Sequence, residues 1–313
     1  MEKCGGNMLS QEMLAARLLC VTGSDAAVIC GLSPYKTPYQ LWEEKTGRKV
    51  QEDISDKNYI KFGNYFEDGV AAWFEADSGK KLKLKASKML THSSVDYIAG
   101  NVDFEIDGEN AILECKTALS DEGWGNAENI IPPYYLMQVA HYCAVGNYDK
   151  AYIAVVFAQK REMRWYEYER NLELEEKLLA REKAFWESVQ NDIAPEPINV
   201  DDLMQMYKAA DTTPIVATGE ISTKLDLLKD VNNKLKMLEL QKETLRKEIA
   251  LYMQAHDTLV DAKGSVIATW KFTKVPQRFD SKAFEAENKE LYNKYVRDGY
   301  SQRRFLIKGV KDE

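Results

Sequence analysis

Residues 97–116 read YIAGNVDFEIDGENAILECK, and the interpretation of the whole chain starts from this stretch. Two short runs, Val102–Ile106 and Ala111–Thr117, have the composition of β-strands. They flank Asp107 and Gly108, a dipeptide that favours a tight turn because both residues tolerate positive φ angles. The pattern therefore predicts a β-hairpin.

Side chains alternate between the faces of a strand, so Ile112, Glu114 and Lys116 share one face of the predicted hairpin. Asp103 lies on the opposing strand and comes beside Glu114 if the hairpin closes in register. Carboxylates held this close repel each other unless a cation intervenes, and hard divalent ions such as Mg²⁺ prefer oxygen ligands. The hairpin is therefore a candidate site for one or two Mg²⁺ ions, for which Mn²⁺ would substitute.

The composition limits the class of protein. The 313 residues suffice for two domains, or for one domain with a long extension, and a hydrophobic content of 45% is ordinary for a globular protein. The five cysteines form no C-x-x-C pair, which argues against a zinc module or a disulfide framework. We find no signal peptide and no apolar run of roughly 18 residues, so we expect a cytoplasmic protein.

The net charge of −8 is unevenly distributed along the chain. Residues 1–200 hold 22 Lys and Arg against 32 Asp and Glu, whereas residues 201–313 hold 20 against 18. An acidic average is compatible with nucleic-acid binding when basic groups line a local channel. The five lysines of Lys80–Lys88 alternate with leucines and predict an exposed edge strand rather than a DNA contact.

The N-terminal region predicts two helices. Residues 10–21 form an amphipathic pattern whose inner face carries Met13, Ala16 and Leu19. The sequence TGSD at 22–25 opens a second helix, Asp25–Ile29, with Ser24 or Asp25 as N-cap. The first N–H groups of this helix would bind a phosphate together with Arg17. A helix cap beside a surface arginine is the simpler interpretation.

Two later helices carry polar residues of interest. The helix predicted over residues 60–76 has an apolar stripe made of Phe66, Val70, Trp73 and Phe74. Glu67 lies beside this stripe and is either an exposed glutamate or a side chain aimed towards the hairpin. The helix predicted from Pro133 to about Val145 places Gln138 and Tyr142 on one face. We assign His141 a surface or packing role because no second histidine or cysteine lies at ligand spacing.

The remaining pattern predicts a sheet followed by an extension. A central strand, its partner and an amphipathic helix are expected at Ala151–Ala158, Met163–Arg170 and Leu172–Val189. Residues 196–218 predict a linker or arm between an N-terminal domain, residues 1–195, and a C-terminal extension, residues 219–313. The extension is expected to contain a long helix over Glu220–His256, a hairpin turning at Lys263-Gly264, a helix over Ser281–Tyr295 and a strand over Gln302–Ile307. The fold class is α/β, of the α+β kind, with a central mixed sheet flanked by helices.

Asp103, separated by ten residues from Glu114-Cys115-Lys116, resembles the D…(D/E)-x-K signature of the restriction-endonuclease-like nucleases. Three companions appear in the same order: TGSD after Arg17, FGNYFE at 62–67 ending in Glu67, and the Q-x-x-x-Y pair at 138–142. With GLSPYKTPY at 31–39, the combination resembles the YqaJ-type viral recombinases, relatives of lambda exonuclease, over residues 10–190.

This resemblance implies a restriction-endonuclease-like core with a metal-dependent nuclease site. The implied metal ligands are Glu67, Asp103, Glu114 and the backbone carbonyl of Cys115. Lys116 matches the lysine that orients or activates the attacking water, and the catalytic set also includes Gln138 and Tyr142. The residues implied in DNA or phosphate contacts are Arg17, Thr22, Ser24, Lys36, Asn101 and Gln138.

The chain departs from the family pattern at one place. Many relatives have S-P-D-G where this chain has Asn101-Val102-Asp103-Phe104. Asn101 is still able to donate a hydrogen bond. We expect Phe104, in place of Gly, to alter how closely this strand approaches DNA.

The resemblance also implies an activity and partners. The expected enzyme is a Mg²⁺-dependent exonuclease that degrades linear double-stranded DNA from 5′ to 3′ and leaves 3′ single strands for phage-type recombination. The expected partners are double-stranded DNA ends, a RecT-like or Red-beta-like single-strand annealing protein, and further copies of the chain in a trimeric ring. Phage or prophage origin in a bacterial host cell is implied as well.

Two alternatives belong to other classes. A RecB-like or CRISPR-associated nuclease would share the site but often carries an iron–sulfur cluster, for which the cysteine spacing here gives no ligand set. A catalytically inactive DNA-binding or assembly module would keep the fold alone. The presence of all catalytic residue types argues against the inactive module.

Overall fold

The computed structural model describes residues 16–51, 53–83, 89–125, 130–209, 211–297 and 304–307. The chain forms two compact units that divide between Met206 and Tyr207. This division falls inside the segment expected to be a linker, 196–218, in which Val200–Met206 form a helix. The predicted domain limits stay a prediction.

The N-terminal unit contains helices on a small set of strands. The helices are α1 (Gly23–Ile29), α2 (Pro38–Lys45), α3 (Asn58–Ser78), α4 (Pro133–Gly146), α5 (Leu172–Gln190) and α6 (Val200–Met206). The strands are β1 (Leu90–His92), β2 (Val95–Gly100), β3 (Phe104–Glu105), β4 (Ala111–Ala118), β5 (Lys150–Phe157) and β6 (Glu162–Glu169).

The main sheet has the strand order β3-β4-β5-β6 and is mixed. Strands β3 and β4 pair antiparallel, β4 and β5 pair parallel through the crossover helix α4, and β5 and β6 pair antiparallel. Strands β1 and β2 form a separate hairpin, which sequence analysis did not predict. The predicted fold class, a mixed sheet flanked by helices, is confirmed.

The two faces of the sheet bury two separate cores, because strands β4 and β5 are apolar on both sides. One core contains Ile112 and Ile153 and packs against residues of α4 and α5. The other contains Leu113 and Ala154 and packs against Val70, Ala71 and Phe74 of α3. The predicted limits of α4, β5, β6 and α5 agree with the structure within about two residues.

Several local predictions in the N-terminal half are wrong. Phe66 and Trp73 of α3 are exposed, because Val70, Ala71 and Phe74 occupy the contact between this helix and the sheet. Leu19 is exposed rather than inward-facing, whereas Met13 lies outside the described residues. Helix α1 begins at Gly23, two residues earlier than predicted, with Thr22 as N-cap.

The edge strand predicted over Lys80–Lys88 lies largely outside the described residues, since residues 84–88 are not among them. Within the described part, Leu82 forms an isolated antiparallel bridge with Ile106. No helix in the described parts of the chain is long and apolar enough to span a lipid bilayer.

The C-terminal unit contains helices α7 (Gly219–Met253), α8 (Ser281–Glu287) and α9 (Lys289–Tyr295) and strands β7 (Thr258–Val260) and β8 (Val266–Thr269). The predicted hairpin is confirmed, and Gly264 in its turn has a φ of 83°. The helix predicted over residues 281–295 is interrupted at Asn288, whose backbone is not helical. Residues 304–307, the described part of the last predicted strand, are not in a strand.

Candidate active site

The β3–β4 hairpin brings the predicted carboxylates and lysine together. Phe104 pairs with Leu113 and Glu105 with Ile112, a register that places Asp103 beside Glu114. The Oδ2 atom of Asp103 accepts a hydrogen bond of 2.8 Å from the backbone N–H of Cys115. Alternation along β4 places Lys116 on the same face as Glu114, and its Nζ lies 2.6 Å from Glu114 Oε1.

Helix α4 supplies a second hydrogen bond to the Glu114 oxygen that Lys116 contacts. Gln138 Nε2 donates to Glu114 Oε1 at 2.7 Å and lies 3.0 Å from the hydroxyl oxygen of Tyr142. Glu114 is buried, and its second oxygen, Oε2, has no hydrogen-bond partner. A buried carboxylate oxygen without a partner is costly in a folded protein, which makes this atom a candidate ligand for a cation.

Two glycines allow the ring of Tyr142 to occupy its position. A Cβ atom built on Gly23 would lie 2.4 Å from Tyr142 Cε1, and one on Gly100 would lie 2.8 Å from the same ring. Tyr142 is therefore enclosed by the start of α1 and the end of β2. Sequence analysis missed this role of Gly23 and Gly100, because close approach to a ring leaves no local pattern.

A cavity of about 620 Å³ collects almost all of the predicted site residues. Those that line it are Arg17, Thr22, Ser24, Glu67, Asn101, Asp103, Glu114, Cys115, Lys116, Gln138 and Tyr142. Lys36 does not line it; this lysine lines a neighbouring cavity of about 250 Å³ and forms an ion pair with Glu44. Tyr59 and Asn64 of α3 also line the larger cavity, and sequence analysis did not select them.

One wall of the cavity carries the predicted phosphate contacts. Arg17 Nη2 donates to Ser24 Oγ at 2.7 Å, and the hydroxyl oxygens of Ser24 and Thr22 are 3.1 Å apart. Asn101 also lines this cavity, and its buried Oδ1 atom has no hydrogen-bond partner. This wall therefore offers a cation, hydroxyl groups and an amide.

Lys45 holds the segment that carries Arg17. Its Nζ donates to the backbone carbonyls of Arg17 at 2.6 Å and Cys20 at 2.7 Å, and to Asp25 Oδ2 at 2.8 Å. The same carboxylate oxygen accepts the backbone N–H of Thr22. Sequence analysis missed Lys45, because its partners lie 20 to 28 residues away along the chain.

Among the described residues, only one ammonium group, that of Lys116, lies beside the Asp103 and Glu114 carboxylates of the cavity. Burial, followed by repulsion from Glu114 and Glu67, raises the pKa of Asp103 well above its usual value. Burial lowers the pKa of Lys116, but attraction by Glu114 and Asp103 outweighs this effect, so that the pKa of Lys116 is raised overall. Lys116 is therefore protonated near neutral pH, and its single positive charge neutralises only part of the combined negative charge of Glu67, Asp103 and Glu114.

The donor set fits a divalent cation. In the described residues no three His, Cys, Asp or Glu side chains already form a close ligand set. However, Asp103 is destabilised in its charged form by two other carboxylates, and Glu114 Oε2 lacks a partner. A bound cation would remove both penalties, and carboxylate oxygens are ligands that Mg²⁺ prefers.

Phe104 does not occupy the cavity. Its side chain packs against the buried cluster under α3, on the face opposite to Lys116. The phenylalanine that stands in place of the glycine of the S-P-D-G pattern therefore packs in the core.

A mixed sheet whose β3–β4 hairpin carries an Asp, a Glu and a Lys, beside a glutamate from a flanking helix, defines the restriction-endonuclease-like class. Residues 12–149 match the family described as YqaJ-like viral recombinase domain. The chain is 35% identical over 319 aligned residues to the uncharacterized protein YqaJ of Bacillus subtilis (strain 168), covering 97% of this chain and 95% of that protein. The chain therefore belongs to the YqaJ family.

The chain also aligns with solved structures, at lower sequence identity. The alkaline exonuclease LHK-Exo from Laribacter hongkongensis aligns with a TM-score of 0.49 at 15% identity, covering 59% of this chain and 94% of that chain. A phage related exonuclease from Haemophilus somnus 129PT aligns with a TM-score of 0.45 at 17% identity, covering 56% of this chain and 95% of that chain.

Proposed function

We propose that this protein is a Mg²⁺-dependent exonuclease that hydrolyses linear double-stranded DNA from 5′ to 3′ and leaves 3′ single-stranded overhangs. The observation that carries the proposal is the cavity in which Glu67, Asp103 and Glu114 lie beside Lys116. Membership of the YqaJ-like viral recombinase family supports a role in DNA recombination.

The metal would be held by the carboxylates of Glu67, Asp103 and Glu114 and the backbone carbonyl of Cys115. When bound, a divalent ion supplies a nucleophilic water near neutral pH and screens charge on the leaving oxygen. The buried Oε2 of Glu114, which has no hydrogen-bond partner, supports this assignment. Gln138 orients this carboxylate by holding its other oxygen, and Tyr142 in turn contacts Gln138.

Lys116 acts as a fixed cation rather than as a general base. Its pKa is raised overall, since the attraction of Glu114 and Asp103 outweighs burial, so it keeps its proton at neutral pH. An ammonium at this position donates a hydrogen bond to the attacking water and stabilises the negative charge that develops on the phosphate oxygens.

Arg17, with the hydroxyl groups of Thr22 and Ser24, would bind the 5′-terminal phosphate and thereby set the polarity of digestion. A guanidinium beside hydroxyl donors suits a phosphate because it combines charge with directional hydrogen bonds. Lys36 and Asn101 would contact the DNA backbone nearby. We propose double-stranded DNA ends as substrate, a RecT-like or Red-beta-like annealing protein as partner, and a ring of further copies as the assembly.

The proposal is tested on linear duplex DNA labelled at one 5′ end, with Mg²⁺ or with EDTA. We expect release of the label with Mg²⁺, a 3′ overhang in the product, no digestion in EDTA, and slower digestion of 5′-hydroxyl ends than of 5′-phosphate ends. Glu114→Gln should abolish digestion. Intact DNA in Mg²⁺ and in Mn²⁺, with DNA binding retained, would establish the inactive binding module instead.

A further inference from the structure

Helix α7 carries an apolar stripe that repeats every seven residues and is interrupted by two lysines. The helix has 35 residues and is therefore about 52 Å long. The stripe consists of Ile221, Leu228, Val231, Leu235, Leu238, Leu245, Ile249 and Tyr252, which follow alternating steps of three and four residues when Lys224 and Lys242 are included. The exposed fractions of these apolar residues range from 38% to 77%.

The seven-residue repeat is typical of a coiled coil. A helix that packs on a globular core follows a period of 3.6 residues, whereas a period of 3.5 keeps one seam facing another helix over the whole length. Heptads sustained over three or four repeats are typical of such pairing. Within the C-terminal unit no other described helix or strand packs extensively along α7.

We propose that this stripe pairs with the same stripe of a second copy of the chain, as an antiparallel coiled coil. The positions of the two lysines determine the orientation. In a parallel, in-register pair, Lys242 would face Lys242 and Lys224 would face Lys224 inside the seam. Like charges at seam positions are destabilising, and the aliphatic part of lysine packs best against an apolar partner.

The antiparallel alignment that overlaps the whole stripe removes both conflicts. Lys242 then faces Val231, and Lys224 faces Ile249. The remaining layers join apolar residues only: Ile221 with Tyr252, Leu228 with Leu245, and Leu235 with Leu238. Each layer occurs twice, once in each half of the pair, as a two-fold axis requires.

The residues that flank the seam agree with this alignment. The flanking pairs across the antiparallel interface are Leu225 with Arg246, Asn232 with Glu239, Leu227 with Glu248, and Lys234 with Gln241. None of these pairs joins like charges. The parallel alignment would gain an ion pair between Lys234 and Glu239 but would keep both lysine layers in the seam.

The first test measures the mass of the full-length protein by light scattering and sedimentation equilibrium. Leu235→Glu with Leu238→Glu places charge at the central layers, and the matched control, Met237→Glu with Leu240→Glu, places it at exposed positions outside the stripe. Because the variant loses the burial of two leucines in each chain and places charge in the seam, we expect it to weaken pairing by at least about a hundredfold and to halve the particle mass. The control variant should keep the parental mass and helix content.

A monomeric parental protein, or a particle mass unchanged in the stripe variant, would overturn pairing with a second copy. The second test determines orientation. Leu228→Cys protein mixed with Leu245→Cys protein should form a disulfide-linked pair under mild oxidation, whereas Leu228→Cys alone and the parental protein should not. Efficient crosslinking of Leu228→Cys alone would establish the parallel arrangement and overturn the antiparallel one.

Discussion

Two buried glutamates of the N-terminal unit have the same local chemistry but different surroundings. Glu114 and Glu182 are both buried, and each has one oxygen, Oε2, without a hydrogen-bond partner. Glu114 lines the large cavity beside Lys116, whereas Glu182 is enclosed with His141, and both members of that pair have no exposed surface. An unsatisfied carboxylate that opens on a cavity indicates a ligand site, and one that is fully enclosed indicates a contribution to the fold.

The largest effect on stability is expected from Glu182→Ala. His141 Nδ1 lies 2.8 Å from Glu182 Oε1, and breaking a buried pair by removing one partner costs about 3–5 kcal/mol. We expect this loss in the free energy of unfolding measured by urea titration. The control, Glu176→Ala, removes an exposed glutamate from the same helix and should change stability by less than about 0.5 kcal/mol. Equal stability of both variants would show that the enclosed pair does not support the fold.

Lys116→Ala should have the opposite profile, with a large effect on turnover and a small one on folding. Removing one donor to developing negative charge lowers kcat about 10²–10³-fold in comparable sites. Duplex binding, measured by fluorescence anisotropy in Ca²⁺, should persist, because the wall formed by Arg17, Thr22 and Ser24 is untouched. Lys177→Ala, which removes an exposed lysine, serves as control. Parental turnover in Lys116→Ala would exclude a role for this ammonium in the chemistry.

The part of the cavity formed by Asp103, Glu114, Lys116, Gln138 and Tyr142 was predictable because its geometry is local in sequence. Alternation along a strand places Glu114 and Lys116 on one face, and a step of four in a helix places Gln138 and Tyr142 together. The hairpin turn supplies Asp103 across from Glu114. Each of these relations depends on one secondary-structure period, which a sequence reveals directly.

The supporting contacts were not predictable, because they join segments distant in sequence. Lys45 binds the carbonyl of Arg17, and His141 meets Glu182 41 residues later, without any pattern that links the positions. The sequence predicts a surface or packing role for His141, and its burial beside Glu182 shows that it lies in the interior. The exposure of Phe66 and Trp73 depends on where α3 meets the sheet, which periodicity alone does not determine.

Gly100 lies close to both Tyr142, which lines the cavity, and the buried His141, and its substitution should have an effect of intermediate size. Gly100 packs against the ring of Tyr142, and a Cβ there would lie 2.8 Å from ring atoms, so Gly100→Ala should cost about 1–3 kcal/mol through overpacking. Displacement of Tyr142 should also lower kcat, because this ring contacts Gln138. Gly69→Ala is the matched control: nothing lies within 4 Å of the added methyl, and alanine favours the helix there. A Gly100→Ala protein as stable as Gly69→Ala would show that the ring moves freely.

The smallest expected effect is the pH dependence that His141 contributes to stability. Both ring nitrogens face acceptors, Glu182 Oε1 at 2.8 Å and the carbonyl of Ala99 at 3.0 Å, so only the protonated ring donates to both. Burial lowers the pKa of His141, but the Glu182 carboxylate and these hydrogen bonds outweigh it and raise the pKa overall. The folded state therefore binds more protons than the unfolded state above about pH 6.5, the ordinary histidine value.

The sign of this contribution follows from the proton balance. The stabilisation that protonated His141 gives the folded state is fully present below about pH 6.5 and is lost as the pH rises through the folded-state pKa. The stability difference between the parental protein and His141→Gln should therefore shrink towards alkaline pH. His92 has the opposite sign, because burial lowers its pKa, and His141 itself contributes to this shift, so both proteins should carry His92→Gln to remove its contribution. A difference that grows with pH would mean that the ring is neutral in the fold. The distinction between Glu114 and Glu182 would then rest on access to the cavity alone.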